Sequence, residues 1–111
     1  VDEQIRGGIV QGIGGALFEE CLYSDDGQLL NGSMADYLVP MAGEMPDIVV
    51  GHVETPTRTS ELGAKGAGEA GTAGAPGAVM NAINDALACL GANVSVQPFT
   101  PQRVLQALGK I

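Results

Sequence analysis

Apolar residues recur at three- and four-residue steps near the start of the chain, which predicts a helix over residues 2–20. The apolar positions of this stripe are Ile5, Ile9, Ile13, Ala16 and Leu17. The same segment contains Gly7, Gly8, Gly12, Gly14 and Gly15. Each glycine costs about 0.5–1 kcal/mol in a helix interior relative to alanine. Several of them share one face, and the pattern favours close packing of that face on another backbone over contact with a ligand.

Two further helices are predicted in the second half of the chain. Residues 76–90 repeat the helical spacing, with Pro76 suited to a first turn and Gly91 to a left-handed cap. A C-terminal strand and helix are expected within 94–109, where Thr100 would cap the last helix.

Between these helices the pattern changes to short apolar runs that turn residues interrupt. Strands are predicted within 21–54, because two runs flank an Asp26-Gly27 hairpin turn and a β-branched run covers 47–54. Residues 55–75 have no periodic pattern, and a connection of that length is usually functional or disordered. The predicted fold class is therefore α+β, a small mixed sheet with three helices.

Composition narrows the class of protein. The chain has 111 residues, and 45% of them are hydrophobic, which is too many for a disordered chain. The net charge of −8 argues against a nucleic-acid partner and an anionic membrane, and no apolar run reaches the roughly 18 residues of a membrane span. Cys21, Cys89 and His52 have no metal-ligand spacing. We therefore predict no metal ligand, and we expect both thiols to be buried as small apolar groups.

The stretch GAKGAGEAG, residues 63–71, contains four glycines and three alanines around Lys65 and Glu69. It is not a nucleotide P-loop, because no Ser or Thr follows the lysine. It matches the letters GxGxxG of a dinucleotide site, but no βαβ unit is predicted around it. It could also be a run of backbone N–H groups before a helix, which would receive an anionic cofactor while Glu69 faces the reacting centre. Composition alone leaves these interpretations open.

Three motifs follow one another along the chain: Gln-x-x-Gly-Gly-x-x-x-Gly-x-Gly from Gln4, Asp-Tyr-x-x-Pro from Asp36, and Lys-Gly-x-Gly-Glu from Lys65. Together they resemble the C-terminal part of the large subunit of molybdenum hydroxylases, the xanthine dehydrogenase and aldehyde oxidase family. Bacterial aerobic carbon monoxide dehydrogenase-like large chains are among the similar proteins. The resemblance covers essentially residues 1–111 and implies a C-terminal fragment of a molybdopterin-binding domain, with its cofactor and catalytic loop at 60–75.

The resemblance also implies roles for individual residues. Glu69 matches the family's catalytic glutamate, and Gln4 matches a glutamine that contacts the cofactor, with Gly7 and Gly8 close behind it. The positions that match the loop around the pyranopterin are Lys65, Gly66, Ala67 and Gly68. The family usually has valine where this chain has Ala67, a change that removes no functional group.

The implied function is oxidative hydroxylation of an aldehyde, an N-heterocycle or a CO-like small molecule, with Glu69 as the base. A carboxylate can act as a base when burial raises its pKa and water is excluded. The implied cofactor is a molybdopterin dinucleotide with molybdenum, in the cytosine form that bacterial relatives suggest. The implied partners are the remainder of the large subunit and Fe–S and FAD subunits or domains, in the cytoplasm.

An alternative from another class stays open. The 111 residues could be an isolated, non-catalytic fragment or split-gene module that covers its exposed faces by forming a homo-oligomer. In either case we expect the chain alone to be inactive.

Overall fold

The computed structural model describes residues 1–111 and contains three α-helices. They are α1 (Asp2–Leu17), α2 (Ala70–Ala88) and α3 (Pro101–Ala107), and single 3₁₀ turns occur at Ala42–Glu44 and Glu61–Gly63. None of the helices has the length and apolar character needed to cross a membrane.

Helices α1 and α2 pack through their small residues. Gly8 lies against Thr72, and a Cβ built on Gly12 would lie 2.6 Å from the Cβ of Ala75. The contacts advance along both helices in the same direction, so the helices run parallel with their N-termini at the same end. The prediction that the glycine face serves close packing is therefore confirmed for Gly8 and Gly12, whereas Gly15 faces open space.

The hydrophobic core lies at the other end of this pair. Its buried members are Ala16, Leu87, Val94 and Phe99. The Phe99 N–H donates to the carbonyl of Ala16 at 2.6 Å, which satisfies one of the unpaired carbonyl groups at a helix end. Helix α1 ends at Leu17 and not at residue 20, because the N–H groups of Phe18 and Glu19 both turn back to the carbonyl of Gly14.

Helix α2 begins earlier than predicted. It starts at Ala70, so Pro76 lies inside the helix and the last six residues of the predicted 60–75 loop are helical. Gly71 and Ala75 are buried against α1, and these tertiary contacts hold the extra turns in helical form. The Pro76 ring lies over Gly12, where α1 has no side chain to obstruct it.

The predicted sheet is wrong, because the structure contains no β-strand, only one isolated bridge. The Asp26-Gly27 turn does form, with Gly27 at φ 84°, but the pairing stops after one bridge between Tyr23 and Leu29. At the predicted C-terminal strand, the N–H and carbonyl of Val94 bond the side-chain amide of Asn84 at 2.8 and 2.9 Å. A β-branched run forms a ladder only when a neighbouring strand pairs with it. Here the neighbouring groups are side chains and helices, so no ladder forms.

The C-terminal helix matches its predicted start. The Thr100 hydroxyl oxygen accepts a hydrogen bond from the Arg103 N–H, which is the expected N-cap. The Arg103 guanidinium also bonds the carbonyl of Pro98 at 2.8 Å and the carboxylate of Glu20 at 2.5 Å. Helix α3 is thereby tied to the segment that follows α1.

Candidate functional site

The N-terminal ends of α1 and α2 lie side by side, with the glycine-rich loop leading into α2. The Gln4 side-chain amide donates to the carbonyl of Gly68 at 2.9 Å, which joins α1 to this loop. A Cβ on Gly71 would fall on the carbonyl oxygen of Ile5 and lie 2.9 Å from the backbone nitrogen of Ile9. Each helix N-terminus carries roughly half a positive charge, so this end of the pair favours an anion.

The loop presents a run of unpaired backbone donors. The N–H groups of residues 65–69 have no acceptor within the chain, and neither do those of Gly71 and Thr72 in the first turn of α2. The first N–H groups that are paired belong to Ala70, bonded to Ala67, and Ala73, bonded to Glu69. A row of N–H donors at a helix N-terminus is the arrangement that binds phosphate and other oxyanions.

Lys65 lies at the rim of an open depression of about 340 Å³. Its ammonium group donates to the hydroxyl of Thr55 at 2.8 Å. Gly66 and Ala67 line the same depression, and a Cβ built on Gly66 would meet nothing within 4 Å. The loop backbone is therefore accessible to a ligand from this side.

Glu69 is the last residue before α2. Its carbonyl accepts the N–H of Ala73 at 3.1 Å, while its carboxylate makes no capping hydrogen bond and is exposed. The carboxylate is thus free to contact a ligand bound at the adjacent N-termini of α1 and α2. The exclusion of water that a base requires is not provided by these 111 residues.

The two glycines that follow Gln4 have different surroundings. A Cβ on Gly8 would lie 3.1 Å from both the backbone nitrogen and the hydroxyl oxygen of Thr72, so Gly8 belongs to the helix contact. Gly7 is exposed, and its missing Cβ would meet nothing within 4 Å. Of the two, only Gly7 opens onto free space.

Sequence reasoning missed Thr72 and Thr55 at this site. The Thr72 hydroxyl lies 3.0 Å from the carbonyl of Gly8 and 3.2 Å from the side-chain oxygen of Gln11. The only sequence feature that marks Thr72 is its place as the one hydroxyl residue among glycines and alanines at the start of α2. Nothing in the sequence marks Thr55 as the partner of Lys65.

The cysteine prediction is wrong, because Cys21 and Cys89 are both exposed free thiols. Cys21 lies two residues before the bridge between Tyr23 and Leu29, and Cys89 is the C-cap of α2. No three His, Cys, Asp or Glu side chains come close enough to hold a metal ion.

Residues 1–46, which contain all of α1, match the family model of the molybdopterin cofactor-binding domain. Over 107 residues the chain is 45% identical to the nicotine 6-hydroxylase large subunit of Paenarthrobacter nicotinovorans, covering 96% of this chain and 13% of that protein. Over 104 residues it is 32% identical to the carbon monoxide dehydrogenase large chain of Afipia carboxidovorans, covering 94% of this chain and 13% of that one.

A solved structure agrees with these relatives. The crystal structure of quinoline 2-oxidoreductase from Pseudomonas putida 86 superposes with a TM-score of 0.93 at 44% identity, covering 98% of this chain and 14% of that chain. The chain therefore belongs to the molybdopterin-binding subunits of the molybdenum hydroxylase family, and the resemblance predicted from its motifs is confirmed. It spans 13% of the length of the curated relatives it matches.

Proposed function

We propose that this chain supplies the base, Glu69, and part of the cofactor cradle of a molybdenum-dependent hydroxylase. The observation that carries the proposal is the meeting of two parallel helix N-termini with the unpaired N–H groups of residues 65–69. This arrangement offers concentrated hydrogen-bond donors for an anionic cofactor directly beside a free carboxylate.

The residues present fit a pterin dinucleotide cofactor. Gly66 and Gly68 leave open space where a Cβ would stand, so the backbone N–H groups can approach the oxygens of a phosphate or pterin. Lys65 can add a charge-assisted bond, because its ammonium group has three hydrogens and the Thr55 hydroxyl accepts one of them. Gln4 keeps its amide oxygen free while its nitrogen donates to the carbonyl of Gly68. When bound, the molybdenum cofactor supplies the two-electron redox chemistry of the hydroxylation, and we propose its cytosine dinucleotide form.

Glu69 would act by accepting a proton at one of its carboxylate oxygens. General-base catalysis of this kind contributes about 10²–10⁴-fold to a rate. Because the side chain is exposed here, we propose that the remainder of the large subunit covers it and excludes water from the site.

The relatives favour one substrate class. The proteins named for nicotine and quinoline share 45% and 44% identity with this chain, whereas the carbon monoxide dehydrogenase shares 32%. Nicotine and quinoline both contain an N-heteroaromatic ring. We therefore propose hydroxylation of an N-heterocycle ahead of an aldehyde or a CO-like substrate. Electrons would leave through Fe–S and FAD groups on other subunits or domains, in a cytoplasmic enzyme.

The decisive experiment is Glu69→Gln in the complete enzyme that contains this chain. We expect turnover of an N-heterocycle such as quinoline to fall by about 10²-fold or more, with molybdenum and pterin content unchanged. Glu61→Gln is the matched control, because Glu61 is also exposed but lies outside the cradle. Near-normal turnover of the Glu69 variant would remove this residue from the role of base.

One observation favours the alternative of a self-associating fragment. The chain exposes 7946 Å², against roughly 5,700 Å² expected for a compact protein of its mass. Light scattering of the purified chain, combined with molybdenum and pterin analysis, separates the two proposals. A discrete oligomer without cofactor supports the fragment, whereas stoichiometric cofactor supports the hydroxylase.

A further inference from the structure

We infer that Thr72 is a positioning residue for Glu69, acting through a hydrogen-bonded contact with α1 that we call the Thr72 clamp (Thr72, Gly8 and Gln11). The inference rests on the proposed role of Glu69 as base and adds a residue that the motifs do not contain. Thr72 does not touch the substrate or the cofactor in this proposal. It fixes the helix turn from which Glu69 projects.

The clamp lies one helical turn from Glu69. Glu69 is the N-cap of α2 and Thr72 is the third residue of the helix, so the two belong to the same rigid turn. The Thr72 hydroxyl donates to the carbonyl of Gly8 at 3.0 Å. Because a hydroxyl carries one hydrogen, the Gln11 side-chain oxygen at 3.2 Å is an alternative acceptor for that same hydrogen, and it also belongs to α1.

The glycines on both helices make this contact specific. A Cβ on Gly8 would come within 3.1 Å of the Thr72 hydroxyl oxygen, so a larger residue there would crowd the bond. On the other helix, a Cβ on Gly71 would fall on the carbonyl of Ile5. The two helices are therefore in close contact at these glycines. The hydroxyl bond fixes the position of α2 along the axis of α1.

No comparable restraint comes from the loop side. The N–H groups of residues 65–69 have no intrachain acceptors, and Gly66 and Gly68 face open space. Two side-chain hydrogen bonds involve that segment, from Gln4 to the carbonyl of Gly68 and from Lys65 to the hydroxyl of Thr55, and both lie at exposed positions. The position of the Glu69 carboxylate is thus set mainly by the helix turn that Thr72 holds.

The test compares Thr72→Val with Thr72→Ser in the complete enzyme. Valine keeps the shape and removes the hydroxyl, while serine keeps the hydroxyl and removes the methyl group. We expect Thr72→Val to lower kcat by about tenfold to a hundredfold, the size of loss that a misplacement of about 1 Å causes. KM and molybdenum content should stay unchanged, and Thr72→Ser should retain most of kcat. Thr59→Val, an exposed hydroxyl deletion remote from the clamp, controls for the Thr-to-Val change itself.

Three results would overturn the inference while leaving the role of Glu69 intact, provided that Glu69→Gln is inactive. They are normal kcat in Thr72→Val, equal losses in the valine and serine variants, and loss of cofactor in step with kcat. Equal losses would show that Thr72 only packs, and cofactor loss would show that it maintains the cradle. If Glu69→Gln is fully active, the proposed function fails, and this inference fails with it.

Discussion

The parallel pair of α1 and α2 and the segment that joins them, residues 18–69, are held by different kinds of contact. The pair is held by backbone approach, with buried glycines and alanines on both sides. The joining segment has one buried residue, Asn31, and is held to the helices by side-chain hydrogen bonds such as that from Arg6 to the carbonyl of Ile48 at 2.9 Å. The pair is specified by packing within this chain, whereas the joining segment has little buried surface of its own.

The overall dimensions support this difference. The radius of gyration is 17.5 Å, against about 13 Å for a compact domain of this size, and 11 of 111 residues are buried. Large apolar side chains stand in solvent along the joining segment, and Val49, Val53 and Leu62 are each at least 90% exposed. Exposed apolar surface on this scale marks an interface, which agrees with a chain that spans 13% of its relatives.

The largest expected effect breaks the helix pair. Gly71→Ala places a methyl group on the carbonyl of Ile5, so α2 must move away from α1. We expect the free energy of unfolding to fall by about 1–3 kcal/mol, the usual cost of overpacking. Urea unfolding followed by circular dichroism measures the change.

Gly74→Ala is the matched control on the same helix. A Cβ there meets nothing within 4 Å, so the substitution should stabilise the chain by about 0.5–1 kcal/mol through helix propensity. Equal effects of the two alanines would show that Gly71 is not closely packed against α1.

The next effect tests the hydrogen bonds between the Asn84 side chain and the Val94 backbone, which stand where a C-terminal strand was predicted. Asn84→Ala leaves the N–H and carbonyl of the buried Val94 without partners, which should cost about 1–3 kcal/mol of unfolding free energy. Asn81→Ala, three residues earlier on an exposed face of α2, should be neutral or slightly stabilising. A neutral Asn84 variant would mean that water replaces the amide at Val94.

These contacts explain which features the sequence could predict. Helices can be predicted from local apolar spacing and capping residues. The sequence therefore predicts α1 and the Thr100 cap of α3, with an error only at the C-terminal end of α1. The start of α2 was missed because glycines and Pro76 argue against a helix locally, while packing on α1 overrides that preference. The strands were wrong because β-branched runs specify extended backbone, but their partners are not encoded locally.

The candidate site divides in the same way. The motif order identified the family, because those residues are specific as a set. Thr72 could not be found, since its importance arises only when Gly8 of another helix comes within hydrogen-bond distance. The free donors of residues 65–69 likewise follow from the observed hydrogen bonds and not from glycine content.

A smaller effect concerns Leu62 in the joining segment. It has φ 59°, a left-handed conformation that costs a residue with a Cβ about 1 kcal/mol, and its side chain is 97% exposed. Asparagine tolerates this conformation, so Leu62→Asn should stabilise the isolated chain by about 0.5–1 kcal/mol in urea unfolding. Leu30→Asn, an exposed leucine without positive φ, should bring no gain. If the remainder of the subunit covers Leu62, the same variant should destabilise the complete enzyme, and the reversed sign would sharpen the contrast between the two regions.

The smallest effect is an acid dependence at the contact between α1 and the joining segment. The His52 ring lies 2.7 Å from the Asp2 carboxylate, and this hydrogen bond, with the nearby positive charges, holds the pKa of Asp2 below its ordinary value of 3.8. Since the pKa is lowered on folding, the contact contributes fully above pH 3.8 and is lost as pH falls through the lowered value. An NMR titration of the Asp2 carboxyl carbon should show a midpoint below 3.8 that rises in His52→Ala and in high salt. An unchanged midpoint in His52→Ala would show that the ring does not hold this end of the segment. Exposed ion pairs contribute little to stability, so protonation of Asp2 should leave the packing of α1 on α2 intact. Only the joining segment near His52 should loosen.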